Sequence, residues 1–147
     1  MANDEVDLTD RSTYRFWVRE RVRFSDTDLV GHVNNVAVAA YVESGRVDYG
    51  HELARRTDSG MRPMVLGHLA IHYRAELHYP AELEVGAALL AIGTSSITIG
   101  NGVFDGDRCV ATAESVLVLV GENGSAPIDE HFRTLLEAEL AGSSADG

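Results

Sequence analysis

From Tyr14 to Phe24 apolar and charged positions alternate. Tyr14, Phe16, Val18, Val22 and Phe24 fall on one side and Arg15, Arg19, Arg21 and Arg23 on the other, the period of a half-buried strand. Trp17 shares the arginine side, which is open to two readings: a solvated outer face, or a stripe meeting phosphates or a partner subunit. The period then changes. Residues 36–56 hold no proline, follow Asn34 and Asn35 as alternative N-caps, and at 3.6 residues per turn put Val36, Val38, Ala39, Ala40, Val42, Val47, Tyr49, Gly50, Leu53 and Ala54 on one wide arc. So broad an arc predicts a helix enclosed by a sheet. Glu43 and Arg46, three residues apart within it, are spaced to pair.

Alternation returns from Met64 to His78, with Val65, Leu69, Ile71, Tyr73, Ala75 and Leu77 facing one way and His68, His72, Arg74, Glu76 and His78 the other. Residues 83–92, 96–104 and 108–120 supply three further β-rich segments. The last two are joined by a hairpin at Asp105-Gly106-Asp107, since Asp-Gly accepts the positive φ of a tight turn. A short helix opened by Pro127 and carrying Phe132, Leu135, Leu136 and Leu140 closes the chain. Strand, helix, four strands, helix predicts the α+β class, with an antiparallel sheet wrapped around a long central helix. A sheet of this kind leaves edges to be covered, so an oligomer is expected. The polar, small-residue ends, 1–13 and 141–147, read as disordered tails around a single domain at 14–140.

Composition narrows the function. With 147 residues, 45% of them hydrophobic, the chain can bury one core of its own, and no apolar run approaches the ~20 residues of a membrane span. The acidic start, Met1 to Asp10, lacks the apolar core of a secretory signal, so the expected location is cytoplasmic. A net charge of -11 argues against nucleic-acid binding. Cys109, the single cysteine, excludes an intrachain disulfide and a cysteine-based metal cluster, and its strand context predicts a small buried hydrophobe. All 12 basic residues are arginine, so an anionic substrate would have to be met by a local group of them.

The chemistry concentrates between Arg23 and Asn35, where Asp26, Asp28, Gly31, His32 and the Asn34-Asn35 pair crowd between a strand and a helix N-terminus. Unpaired amides at that terminus and a carboxylate beside them are the components of a hydrolytic site. Asp28 could supply the base or nucleophile, and capping the helix or bonding loop amides would explain it equally. Asp26 fits an architectural role. Gly31 permits close backbone approach, and the amides of residues 34–37 are candidate oxyanion donors. Asn35 could orient a water or polarise a carbonyl, and His32 could act in catalysis or bond a backbone carbonyl. Glu43, on the helix that follows, is accounted for by pairing with Arg46. His68 and His72 lie four apart on a strand, roughly 13 Å, with His78 further along the same side and no carboxylate at a matching spacing, which does not suit metal binding.

The run D-T-D-x-x-G-H-V-N-N, with Tyr41-Val42-Glu43 and Gly45-Arg46 behind it, resembles the 4-hydroxybenzoyl-CoA thioesterase-like branch of the hotdog superfamily. The similarity continues through His72-Tyr73-Arg74-Ala75, Pro80 to Val85, Ile92 to Ser96, Val110-Ala111 and Ser115 to Val120. The resemblance implies the hotdog fold, a homodimer or homotetramer, and an acyl-CoA substrate cleaved to free acid and coenzyme A with no metal or redox cofactor. It implies a catalytic set of Asp28, Asn35, Gly31 and His32. It places Thr94, Ser95 and Ser96 near bound coenzyme A, where Arg62, Arg74 and Arg108 are candidate phosphate partners. The chain departs from the family pattern at Val36 to Ala40, uniformly small where relatives carry a large residue, at Glu76, where proline is usual, and at Gly121, where aspartate often stands. Two other functions fit such a fold: acyl-thioester hydration or dehydration, whose F-P-G-H-F-P pattern is absent, and non-catalytic acyl-CoA binding.

Overall fold

Strands β1 (Phe16–Arg21), β2 (Met64–Tyr73), β3 (Glu82–Ile92), β4 (Ser96–Asp105), β5 (Arg108–Gly121) and the short β6 (Gly124–Ser125) form one antiparallel sheet in the computed structural model. The strand order is β1-β3-β4-β5-β2, with β6 on β5. Helices α1 (Asn35–Arg55) and α2 (Glu130–Ala145) complete the expected elements. The structure describes residues 6–57 and 60–145, without the side chains of 143–145. The curled sheet holds the long α1 against one face, the hotdog arrangement, and no helix of the described residues is long and apolar enough to cross a membrane.

Helix α1 buries Val38, Tyr41, Val42, Gly45, Tyr49 and Leu53, the i, i+3, i+4, i+7 repeat of a single face. The arc read from the sequence is therefore turned away from the true one: Val36 and Val47 are 79% and 43% exposed, and Ala40 is exposed too. The reason lies at Gly45. A Cβ there would stand 2.6 Å from Val85 Cγ1 and 3.2 Å from Asn101 Nδ2, so the helix backbone rests directly on β3 and β4 where the side chain is missing. Apolarity alone cannot identify a contact made by the lack of a side chain. Tyr41 and Tyr49 fill the space on either side of it, and each fully buried side chain of this size is worth roughly 1.5–3 kcal/mol. Arg46 is also buried, with Nη2 3.6 Å from Glu43 and Nη1 donating to Ser115 Oγ at 3.3 Å. Burial pulls its pKa down, and Glu43 opposes that.

Three other differences from the sequence reading have local causes. Pairing of β2 with β5 slips between Leu66 and His68, and the extra residue inverts the alternation. Met64 thus packs inward before the slip and Leu69 and Ile71 after it, while Val65, assigned to the same side as Leu69, is 50% exposed. The first strand is shorter than the alternation suggested, because Phe24–Asp26 coils into a 3-10 turn that leaves Phe24 74% exposed. Tyr14 lies on the opposite face from Phe16 and Val18, in a second small core with Trp17, Phe104 and Leu8.

That outer core involves residues 6–13, which composition assigned to a tail. A 3-10 turn at Arg11–Thr13 is capped by Asp10, Tyr14 Oη donates to Leu8 O at 2.6 Å, and Arg11 pairs with Glu84 at 3.1 Å. Tyr14 lies over the facing pair Gly86 and Gly102, where any Cβ would collide with its ring or hydroxyl. The Arg11 guanidinium stacks on Trp17 at 4.4 Å, so the arginine side of β1 is partly covered. Helix α2 begins at Glu130 rather than Pro127, with Asp129 Oδ1 accepting from Phe132 N at 2.8 Å, and continues to Ala145, past the expected boundary at 140. Residues 1–5 and 146–147 of the expected tails lie outside the described residues.

Gly45 and Gly50 provide an internal comparison, since nothing lies within 4 Å of a Cβ at Gly50. Gly45→Ala is expected to destabilise by about 1–3 kcal/mol through overpacking, and Gly50→Ala to be neutral or stabilising by up to about 1 kcal/mol. Urea unfolding of the two variants beside the parent chain measures both. Equal effects would mean that the helix does not rest on β3 at Gly45.

Candidate functional site

The loop from Thr27 to Asn34 is held at both ends by backbone pairing. Thr27 bridges Val33, Val33 N donates to Leu77 O at 2.8 Å, and Asn34 N donates to Asp26 O at 2.8 Å. Within it Gly31 has φ +83°, a conformation open to glycine, and its amide closes a turn onto Asp28 O at 3.1 Å. Asp28 Oδ1 accepts from the amides of Val30 at 3.0 Å and His32 at 3.1 Å, and Asp28 N donates to His32 O at 2.8 Å. The carboxylate is thereby fixed in direction while staying exposed.

Asp28 lines a hollow of about 360 Å³ together with His32, Asn35, Tyr73, Arg74 and Glu76, floored by Val33, Val38, Leu77 and Val110. Of the helix amides, two are already used: Asn34 N by Asp26, and Ala37 N, which donates to the N-cap Asn34 Oδ1 at 2.8 Å. The oxyanion donors anticipated over residues 34–37 therefore reduce to Asn35 and Val36, whose amides take no partner among the described residues. Tyr73 Oη donates to Asn35 O at 3.1 Å, tying the end of β2 to the first turn of α1.

Asp26 stands behind this arrangement as its support. Its Oδ2 accepts from Tyr41 Oη at 2.5 Å and from Arg23 N at 2.9 Å. Burial is the largest single influence and pushes the Asp26 carboxyl upward, but the hydrogen bonds from Tyr41 and Arg23 and the Arg23 charge together outweigh it, and the net shift is downward. The same contact acts on Tyr41, whose hydroxyl is pushed up first by burial and then by Asp26.

Not every anticipated residue comes to this hollow. Asp28, His32, Asn35 and Arg74 do, with Arg74 Nε donating to Thr112 Oγ1 at 3.2 Å, whereas Gly31 shapes the loop behind Asp28 without lining the hollow. Thr94, Ser95 and Ser96 form the turn at the far end of β3, whose 11 residues span roughly 35 Å. Arg62 belongs to that far end. It donates to Asp129 at 3.0 Å, stacks over Phe132 at 4.9 Å, and its hydrogen bond holds the Asp129 carboxyl below its ordinary value. Arg133, not singled out from the sequence, secures the same turn by donating to Gly93 O at 2.7 Å. Arg108 pairs with Asp105 across the hairpin at 3.4 Å. Beside Arg62 lies a second, mostly apolar cavity of about 200 Å³, lined by Leu53, Met64, Leu66, Ile97, Leu117 and Phe132 among others.

Glu76 escapes the sequence reading as a site residue, and His78 is grouped there with His68 and His72 on one strand side, where metal binding is not expected. The proximity of Glu76 and His78 to His32 is created by an isolated bridge between His32 and His78, a long-range contact with no local spacing to announce it.

Residues 22–136 match the thioesterase-like superfamily. The chain is 29% identical over 131 residues to the uncharacterized protein YsmA of Bacillus subtilis (strain 168), covering 86% of this chain and 88% of YsmA. A thioesterase of Thermus thermophilus, crystallised with coenzyme A and zinc, superposes with a TM-score of 0.75 at 28% identity over 84% of this chain and 98% of that one. A predicted thioesterase of Bacillus stearothermophilus gives a TM-score of 0.74 at 26% identity, over 85% and 96%.

Because the Asp26 carboxyl titrates lower folded than unfolded, its contribution to stability is present above the ordinary value of 3.8 and is lost as pH falls through the folded value. Asp26→Asn is expected to lower stability by about 1–2 kcal/mol at neutral pH and to flatten the decline on acidification. Thermal unfolding of both proteins between pH 7 and pH 3 tests it, and parallel pH profiles would contradict the assignment.

Proposed function

The chain belongs to the thioesterase-like superfamily, and from that membership we propose that it hydrolyses an acyl-CoA thioester at the Asp28 hollow. The observation that carries this reading is the fixed, exposed Asp28 carboxylate in one hollow with Asn35, at the end of a helix with two unused amides. Asp28 either attacks the thioester carbonyl or takes a proton from the water that does. As nucleophile, Asp28 displaces coenzyme A to give an acyl-aspartate anhydride that water then hydrolyses, restoring Asp28; as base, it passes the proton of the attacking water to the departing sulfur. Either way a C–O bond forms, the C–S bond breaks, coenzyme A leaves as the thiol with a proton that comes from water, and the acyl group ends as a carboxylate. The amides of Asn35 and Val36 would hold the oxyanion between those steps, a role supported by their lack of a partner among the described residues. Asn35 orients the water or carbonyl, Gly31 gives the turn its shape, and His32 fixes Asp28 through its backbone.

The working unit in this proposal is a homodimer. Among the described residues strand β2 pairs only with β5, so its other edge is open, and Val65, Leu66 and Tyr73 on it are 50%, 44% and 50% exposed. Two copies joined antiparallel along that edge would set the Tyr73 end of one against the Met64 end of the other. The Asp28 hollow of one chain would then adjoin the apolar cavity, Arg62 and the Thr94-Ser95-Ser96 turn of its partner. Acyl group and coenzyme A phosphates would each find their kind of surface, and a chain of net charge -11 would meet an anionic substrate with arginine. The thermophile relative crystallised with coenzyme A supports the choice of carrier.

Thiol release from a panel of acyl-CoA esters is expected for the parent chain, with kcat lowered about 10²–10⁴-fold in Asp28→Asn at unchanged circular dichroism. Normal turnover by that variant would remove Asp28 from the mechanism, and tight binding without turnover across the panel would make the protein a binding module. Light scattering is expected to give a dimer or a multiple of it. A fully active monomer would end the shared-site proposal.

A further inference from the structure

At the rim of the hollow three side chains with metal-binding chemistry converge. The bridge between His32 and His78 sets their rings 4.9 Å apart at 79°. Both Nε2 atoms approach the same Glu76 oxygen, from 3.4 Å for His32 and 3.6 Å for His78. All three ligand atoms lie within 4.8 Å of one another. These separations exceed the ~2.9 Å typical of an N–H···O hydrogen bond. They match the edge of roughly 3.4 Å between neighbouring ligands on a tetrahedral ion with bonds of about 2.1 Å. The His32 to His78 side of the triangle closes by small rotations, which the half-open surroundings permit, the side chains being 36% and 56% exposed.

We propose that His32, Glu76 and His78 bind one divalent transition-metal ion of the zinc class, through two imidazole nitrogens and one carboxylate oxygen, with a fourth position left to water. Two imidazoles with one carboxylate select zinc, cobalt(II) or nickel(II), whereas calcium and magnesium require oxygen donors. The site would carry a charge of about +1 on a chain whose own charge is -11. Its ion joins the Asp28 loop to the segment ahead of β3. His32, one of its ligands, is bonded to Asp28 through both its amide, at 3.1 Å, and its carbonyl, at 2.8 Å. Bound metal therefore braces the carboxylate without touching it. The proposal does not depend on the hydrolytic reading, since its test is binding.

The untagged full-length chain, stripped with chelator, would be titrated with Zn²⁺ by calorimetry and with Co²⁺ by visible absorption. One ion per chain is expected, together with the intense visible band of tetrahedral cobalt and a higher Tm in the presence of Zn²⁺. His78→Ala and Glu76→Gln should each weaken binding about tenfold or more at unchanged circular dichroism. Absence of saturable Zn²⁺ binding, or binding unaffected by both substitutions, would overturn the proposal. Should His78→Ala fail to fold, Glu76→Gln, on an exposed side chain, decides alone.

Discussion

The contact of the α1 backbone with Val85 and Asn101, made where Gly45 has no side chain, sets the position of everything else in the inner core. With the helix seated there, Tyr41 and Tyr49 are obliged to fill the space on either side, and the helix rotation follows. Tyr41 in turn reaches Asp26, and Asp26 accepts the amide of Arg23. A helix pressed onto a sheet is thus connected, through one phenol and one carboxylate, to the loop that carries Asp28. Packing density and site geometry are two ends of one chain of contacts.

Much of the architecture was legible because period-2 and period-3.6 patterns survive in the sequence. Element order and class agree with the reading, and the hairpin at Gly106 falls where Asp-Gly placed it. What was illegible depends on single residues that break a pattern without changing composition. The slip beside Gly67 in β2 costs one residue and inverts the side chains before it, and nothing in Val65 or Leu66 signals it. The rotation of α1 was lost because a hydrophobic arc counts methyl groups, whereas Gly45 acts by having none. Tyr14 continues the alternation of Phe16 and Val18 but precedes the strand, so the alternation there was a coincidence.

The candidate site divides the same way. Asp28, Gly31, His32 and Asn35 are near neighbours in sequence, and their spacing brought them into view together. Arg74 comes to the same hollow from the end of β2, and Glu76 and His78 flank the chain's exit from the sheet. Thr94, Ser95, Ser96 and Arg62 sit at the far end of the molecule, and one chain gives no reason for grouping them with Asp28. The proposed dimer would group them, because antiparallel pairing along the open β2 edge interchanges ends. Val36 and Val47 on α1 are likewise apolar and exposed.

The outer layer built on Tyr14 has a further consequence. Cys109 packs against the cluster of Tyr14, Ala88 and Phe104, half-buried, and burial raises the pKa of its thiol. A buried, protonated sulfur is a poor nucleophile toward alkylating and oxidising agents. Since Cys109 packs against the cluster to which Tyr14 belongs, the reactivity of the chain's lone sulfhydryl gauges whether that outer layer is closed.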